Sequence, residues 1–199
     1  MYKYVKRGLD IFLSLIGICL LSPLLVLVSL GVKLDSKGPV LFQQKRIGKD
    51  KKEFYILKFR TMQIETPKDM PTHLLQHPEQ YITRIGKVLR KTSLDELPQM
   101  FNILKGEMSL IGPRPALWNQ EDLIEEREKY GANHIPVGLT GWAQVHGRDE
   151  LSIEEKAKLD GEYAKKQSFF FDCKCLVKTV SCVLKQEGIL EGSMENNKG

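Results

Sequence analysis

The sequence predicts an α/β protein: an N-terminal re-entrant membrane helix followed by a small mixed α/β domain. Three observations predict it. Residues Ile11 to Val32 form a run of 22 without a single charge, with Ser22-Pro23 at its middle. Two stretches rich in aromatic and β-branched residues follow, Val40 to Phe42 and Glu53 to Arg60, and these read as strands. The second half of the chain then carries apolar residues at helical spacing. A length of 199 residues suits one domain, and 42% hydrophobic with 28% charged residues excludes disordered, collagen-like and low-complexity chains.

As a straight helix the apolar run is roughly 33 Å long, enough to cross the hydrocarbon core of a bilayer. It is too long for the core of a cleaved signal peptide, and no A-x-A site follows. Pro23 has no N–H to give the Cys19 carbonyl, and its ring crowds that carbonyl. The Ser22 hydroxyl is the nearest group able to satisfy what Pro23 frees. A break there leaves two arms of about ten residues, each half a bilayer deep, which enter and leave by one face. Lys3, Lys6 and Arg7 before the run and Lys33 and Lys37 after it favour both ends on the cytoplasmic side. A kinked spanning helix is the alternative. The organisation expected is therefore 1–35 as a membrane helix–break–helix, 36–187 as the main domain and 188–199 as a frayed tail.

Between the two strands, Arg46 to Lys51 reads as a turn. Residues 63–80 contain Pro67, Pro71, Pro78, His73 and His77 and read as a polar surface excursion rather than a zinc site. Helices are expected over Thr83–Lys91, Ser93–Leu104, Trp118–Tyr130, Ile153–Lys166 and Asp172–Gln186. The last has Leu176, Val177, Val180, Val183 and Leu184 on one face. The cysteines Cys19, Cys173, Cys175 and Cys182 make no secreted disulfide framework and no paired zinc motif, and read as reduced thiols.

Charge is unevenly spread. Residues 1–92 hold 17 basic and 7 acidic side chains, and residues 93–199 hold 13 and 18. The first half therefore suits an anionic partner: phosphate, nucleotide, membrane surface or nucleic acid. The motifs of P-loop ATPases, dinucleotide-binding folds, zincins and α/β-hydrolases are missing.

Three short stretches carry candidate chemistry. In Ser93-Leu94-Asp95-Glu96, the serine and glutamate fit a helix capping box. The same adjacent carboxylates also suit holding Mg²⁺ against a diphosphate, or attack on phosphorus by one of them. Arg84, Lys87, Arg90 and Lys91 precede them. In Gly112-Pro113-Arg114-Pro115 the prolines stiffen the segment that presents Arg114, a good clamp for phosphate or else part of a rigid turn. In Lys58-Phe59-Arg60-Thr61-Met62 cations end an otherwise apolar strand, as solvated charges or as a ligand site.

These stretches, in this order, resemble the bacterial sugar transferase family of small monotopic phosphoglycosyl transferases. The resemblance runs from Lys6-Arg7 to about Leu184. It includes Ser22-Pro23, Phe42-x-Gln44-x-Arg46-x-Gly48, Lys58 to Met62, Ser93 to Gln99, Gly112 to Pro115 and Thr140-Gly141-Trp142-Ala143-Gln144-Val145. Val137 and His146 depart from the family, which usually has proline and often asparagine there. The resemblance implies transfer of sugar-1-phosphate from a UDP-sugar to undecaprenyl phosphate, with release of UMP, through a covalent aspartyl-phosphosugar intermediate. This would be the first membrane step of surface glycan or glycoprotein biosynthesis. It implies Asp95 as nucleophile, and Glu96 assisting Mg²⁺ (or Mn²⁺) or the acceptor phosphate, with Asp95 and Glu96 as the metal ligands. Arg114, Arg60, Lys58 and Arg90 would bind substrate phosphates, and Asp160 matches a family acidic position of unassigned role. It further implies amphipathic helices lying on the cytoplasmic face of the bacterial inner membrane, a phospholipid partner, no nucleic-acid partner, and a homodimer left open. Two other readings are a non-catalytic membrane module that binds anionic lipid or RNA, and a lipid phosphotransferase with a non-sugar nucleotide donor.

Overall fold

The apolar run and its flanks form α1, Tyr2–Asp35, in a computed structural model that describes residues 2–66, 78–147 and 150–185. His73, His77, Arg148 and the tail expected over 188–199 lie outside the described residues. Where the sequence suggests a helix–break–helix, Pro23 sits inside a single helical element. Proline removes a single donor, and the local remedy is the expected one. Ser22 Oγ donates to the Cys19 carbonyl at 2.9 Å, the acceptor that the proline leaves without its usual partner.

α1 is tied to the rest of the chain at both ends. Lys6 pairs with Asp172 at 2.7 Å, Arg7 donates to the carbonyls of Ile103 and Leu104, and Asp10 accepts from the Leu110 N–H. At the other end Val32 packs against Phe59 and Leu89, and Asp35 accepts from the Ile85 N–H at 2.9 Å. Polar residues Lys6, Asp10 and Ser14 lie one helical turn apart on the buried stripe, whereas Phe12, Leu20, Leu27 and Leu34 are exposed.

The first strand is longer than its sequence signal. β1 (Leu41–Ile47) pairs antiparallel with β2 (Glu53–Phe59), from Leu41 opposite Phe59 to Ile47 opposite Glu53. Arg46 thus belongs to the strand, and the turn is Gly48–Lys52, closed by Gly48 N–H to Lys52 O at 2.8 Å. β4 (Ala116–Leu117) pairs with the other edge of β1, giving the order β2-β1-β4. A second sheet holds β3 (Ser109–Ile111) parallel to β5 (Gly138–Thr140). Phe54 and Ile56 of β2 pack with Ile103, Met108 and Val137, so the residue at the family's proline position is core. A second cluster joins Ile111, Ile135, Trp142, Tyr163 and Cys175.

The helices are α2 (Arg84–Thr92), α3 (Gln99–Lys105), α4 (Glu121–Lys129), α5 (Ile153–Lys166) and α6 (Phe169–Lys185). The helix expected from Ser93 is corrected: Ser93 ends α2 in a left-handed conformation (φ 56°), and its side chain makes no cap bond to the 3₁₀ turn Leu94–Glu96 that follows. A capping box forms elsewhere, at Ser152 and Glu155, which cap α5 reciprocally. α4 starts later than expected because Ala116–Leu117 pair as β4 and the Gln120 side chain accepts from the Leu117 N–H.

Candidate active site

The turn that carries Asp95 and Glu96 is built from both sides. Thr83 caps α2 by accepting from the Gly86 N–H, and α2 ends at Ser93. The left-handed Ser93 costs on the order of 1–2 kcal/mol in a non-glycine residue, which suits a site whose geometry matters more than its local stability. Below the turn, Asn102 of α3 clamps β2: its amide donates to the Tyr55 carbonyl and accepts from the Leu57 N–H. The next β2 residue, Lys58, is thereby held against Glu96.

Lys58 Nζ lies 2.7 Å and Arg114 Nη2 3.0 Å from the same oxygen, Glu96 Oε1. Arg114 is presented by a segment anchored through Arg46, which donates to the Pro115 carbonyl and to Gln44 Oε1. Arg90 donates to Thr61 Oγ1 at 3.0 Å and to Met62 Sδ at 3.1 Å, and its charge acts on Asp95. Asp95 is buried, and among the described residues its carboxylate accepts no hydrogen bond. Burial pushes its pKa above the ordinary carboxylate range; the charge of Lys58 pulls it back and that of Glu96 pushes the same way as burial. Burial likewise lowers Lys58, against the pull of Glu96, and the charges of Arg114 and Arg46 lower it further. The result is a dry carboxylate with open lone pairs beside a set of fixed cations, an arrangement able to receive phosphate and to attack it.

Four of the residues read from sequence as phosphate ligands or catalytic groups are thus drawn together with Asp95: Glu96, Lys58, Arg114 and Arg90. Two are not. Arg60 is buried and its guanidinium holds the carbonyls of Ser36 and Lys37 and Ser36 Oγ at the end of α1. Asp160 of α5 is filled by Arg127 of α4, with Nε and Nη2 at 2.9 and 2.6 Å from Oδ2. Arg127 had no distinguishing sequence signal; its partner lies 33 residues away. Breaking such a pair leaves a buried charge, so Asp160→Ala should cost about 3–5 kcal/mol of stability. Thermal denaturation would show the loss, while the specific activity of the folded fraction stays near wild type. A selective loss of activity at unchanged melting temperature would make Asp160 part of the site.

Gln44 and Arg46 also emerge here as supports of Arg114. Their signal in the sequence was the ordered spacing around β1, to which no role had been attached. His146 stands between two elements: its Nδ1 lies 2.7 Å from the Trp142 carbonyl and its Nε2 2.7 Å from Lys178 Nζ of α6.

A family model described as bacterial sugar transferase matches residues 1–186. The UDP-N-acetylgalactosamine-undecaprenyl-phosphate N-acetylgalactosaminephosphotransferase of Aeromonas hydrophila is 39% identical over 191 residues, covering 92% of this chain and 44% of that protein. The UDP-glucose:undecaprenyl-phosphate glucose-1-phosphate transferase of Escherichia coli strain K12 is 40% identical over 185 residues, covering 89% and 40%. The uncharacterized sugar transferase EpsL of Bacillus subtilis strain 168 is 40% identical over 185 residues, covering 93% and 90%. This chain therefore spans less than half the length of the first two relatives and nearly all of the third.

Proposed function

Because the chain belongs to the bacterial sugar transferase family, we propose that it transfers sugar-1-phosphate from a UDP-sugar to undecaprenyl phosphate at a membrane surface. The observation that carries the reading is the Asp95 carboxylate: buried, without a hydrogen-bond donor among the described residues, and faced by Lys58, Arg90 and Arg114. The names of the relatives supply the substrate class, a UDP-sugar and undecaprenyl phosphate.

In the first step an Asp95 oxygen attacks the β-phosphorus. The bond from that phosphorus to the bridging oxygen breaks, and UMP leaves with the electron pair. In the second step a phosphate oxygen of undecaprenyl phosphate attacks the phosphorus of the aspartyl adduct and returns the Asp95 carboxylate. Lys58, Arg90 and Arg114 balance the charge on the phosphate oxygens, and Glu96 holds Lys58 and Arg114 in place by sharing one oxygen between them.

Mg²⁺ fits this site as a substrate-borne ion. Among the described residues no three His, Cys, Asp or Glu side chains cluster as a ligand set. Asp95 offers hard oxygens, Glu96 is adjacent, and the donor's diphosphate would complete the coordination. When bound, Mg²⁺ would neutralise charge on the diphosphate and the departing UMP.

The chain is also proposed to sit on one leaflet with both ends of α1 on the cytoplasmic side. α1 is long and apolar enough to cross a membrane, but the Lys6–Asp172 pair, with Arg7 and Asp10, ties its first turns to the domain that also holds its last ones. Crossing would break these ties. α6 supports an interfacial seat because it is inside out: Phe170, Val177 and Val180 are exposed while Asp172 and Cys175 are buried. Replacing Ser22 and Pro23 together by alanine removes the ring clash and favours an unkinked helix of spanning length. Cysteine labelling at residue 2 in intact cells, with native cysteines removed, should then find part of the population facing the periplasm. The unmutated topology should show none; periplasmic labelling there would mean that α1 spans.

The transfer itself is tested by incubating the full chain in vesicles containing undecaprenyl phosphate with a panel of UDP-sugars. UMP release with formation of a lipid-linked sugar diphosphate is expected for at least one donor. No release with any donor would overturn the reading, and release without lipid product would leave only a hydrolase.

A further inference from the structure

The segment Lys58 to Met62 divides its side chains between two tasks. Lys58 meets Glu96, and Thr61 and Met62 receive the guanidinium of Arg90. Thr61 also fixes the start of α2, since its carbonyl accepts from the Thr83 N–H, and a Cβ on Gly86 would stand 2.1 Å from that oxygen. Phe59 is core, against Val32 of α1 and Leu89 of α2. Arg60 reaches the residues that end the membrane helix, bonding the carbonyls of Ser36 (2.8 Å) and Lys37 (2.5 Å) and Ser36 Oγ (2.8 Å). The junction is shaped around it. Gly38 has φ +123°, and a Cβ there would lie 2.0 Å from Arg60 Nη1. Asp35, at the same end of α1, holds the first turn of α2 through the Ile85 N–H. The last turn of the apolar helix is therefore fastened to both elements that lead into the site: β2, which carries Lys58, and α2, which ends close before Asp95.

We propose that Arg60 is a positioning residue of the transferase reaction: by locking β2 to the C-terminal end of α1 it sets Lys58 against Glu96, so the seating of the membrane helix reaches the reacting carboxylate. This rests on the transferase reading above. Arg60 touches no substrate; a guanidinium fork spread over three backbone and hydroxyl oxygens is a geometric lock that lysine cannot copy.

The test uses the full chain in vesicles containing undecaprenyl phosphate, with the UDP-sugar found active. Arg60→Met should lower kcat about 10²-fold, the scale expected when a catalytic group is misplaced by about 1 Å, and leave KM for the UDP-sugar within about twofold. The double variant with Lys58→Met should be no slower than Lys58→Met alone, because the two residues act as one unit. A raised KM with kcat retained, or losses that multiply in the double variant, would make Arg60 an independent phosphate ligand and overturn the proposal. Gly38→Ala keeps every charge and sets its Cβ against the guanidinium, at a φ that also strains the junction, so it carries the test if Arg60→Met fails to fold; an unchanged kcat in that variant overturns the proposal. Amine-reactive labelling of Lys58, read by mass spectrometry, should rise in Gly38→Ala. A wild type inert with every donor sinks the transferase reading, and the labelling still decides whether Arg60 positions Lys58: unchanged labelling means that it does not.

Discussion

Asp95→Asn is expected to abolish turnover, by on the order of 10⁴-fold or more, while the fold stays intact. The amide keeps the size and the acceptor oxygen of the carboxylate but not its nucleophilicity. The fold has reason to tolerate the change. Burial raises the Asp95 pKa, so the folded chain releases this proton at higher pH than the unfolded chain does. Stability therefore falls as pH rises from the ordinary carboxylate range through the raised value, and above that value the ionised group weighs on the native state. Asparagine does not titrate, so the variant should melt at the wild-type temperature or above it. Purified protein, assayed for UMP release and melted in parallel, checks both halves. Retention of a tenth of the wild-type rate would exclude Asp95 as an obligatory nucleophile. A normal rate of adduct formation with only the second step lost would move its role to the acceptor stage.

Chelation should have a comparable effect: turnover falls to background in EDTA and returns with Mg²⁺ or Mn²⁺. The site's cations are already shared, since Lys58 and Arg114 meet on one oxygen of Glu96. A diphosphate brings more negative charge than this set offsets, and Asp95 with Glu96 offers oxygen ligands of the kind Mg²⁺ takes together with substrate phosphates. The full chain in vesicles, titrated with each metal after chelation, measures this. Full activity in excess chelator would mean that the fixed cations suffice. Recovery with Zn²⁺ alone would point to a softer ligand set than these carboxylates.

The candidate site was legible in the sequence as separate short motifs, and their resemblance to a known family is what implied that they form one set. Asp95, Glu96, Lys58, Arg90 and Arg114 are brought together as a set, although they come from β2, α2, the turn after it and the segment before β4. What sequence reading could not separate was Lys58 from Arg60. Two residues apart at the end of β2, they have the same parity and the same charge, and only their neighbours distinguish them. Lys58 finds a carboxylate 38 residues away, whereas Arg60 finds the end of α1. Ser93 shows the same limit at a helix boundary. Ser-x-x-Glu occurs twice, at 93–96 and at 152–155, and only the second caps a helix. At the first, the preceding helix runs through Thr92 and takes Ser93 as its own end.

By itself the sequence determined what depends on local order: a long apolar helical stretch with a proline and its serine remedy, two strands joined by a turn, the amphipathic or charged helices that follow, and an acidic pair among cations. These follow from periodicity, backbone preference and side-chain chemistry within a few residues. The tertiary structure alone decided which cation serves which partner, why Asp160 is matched by Arg127, and how α1 is tied down. Lys6 to Asp172 spans 166 residues and Asp10 to Leu110 spans 100. Such pairs leave no local trace, because each half, read alone, is an ordinary charged residue, and its partner is set only when the core brings distant elements into contact.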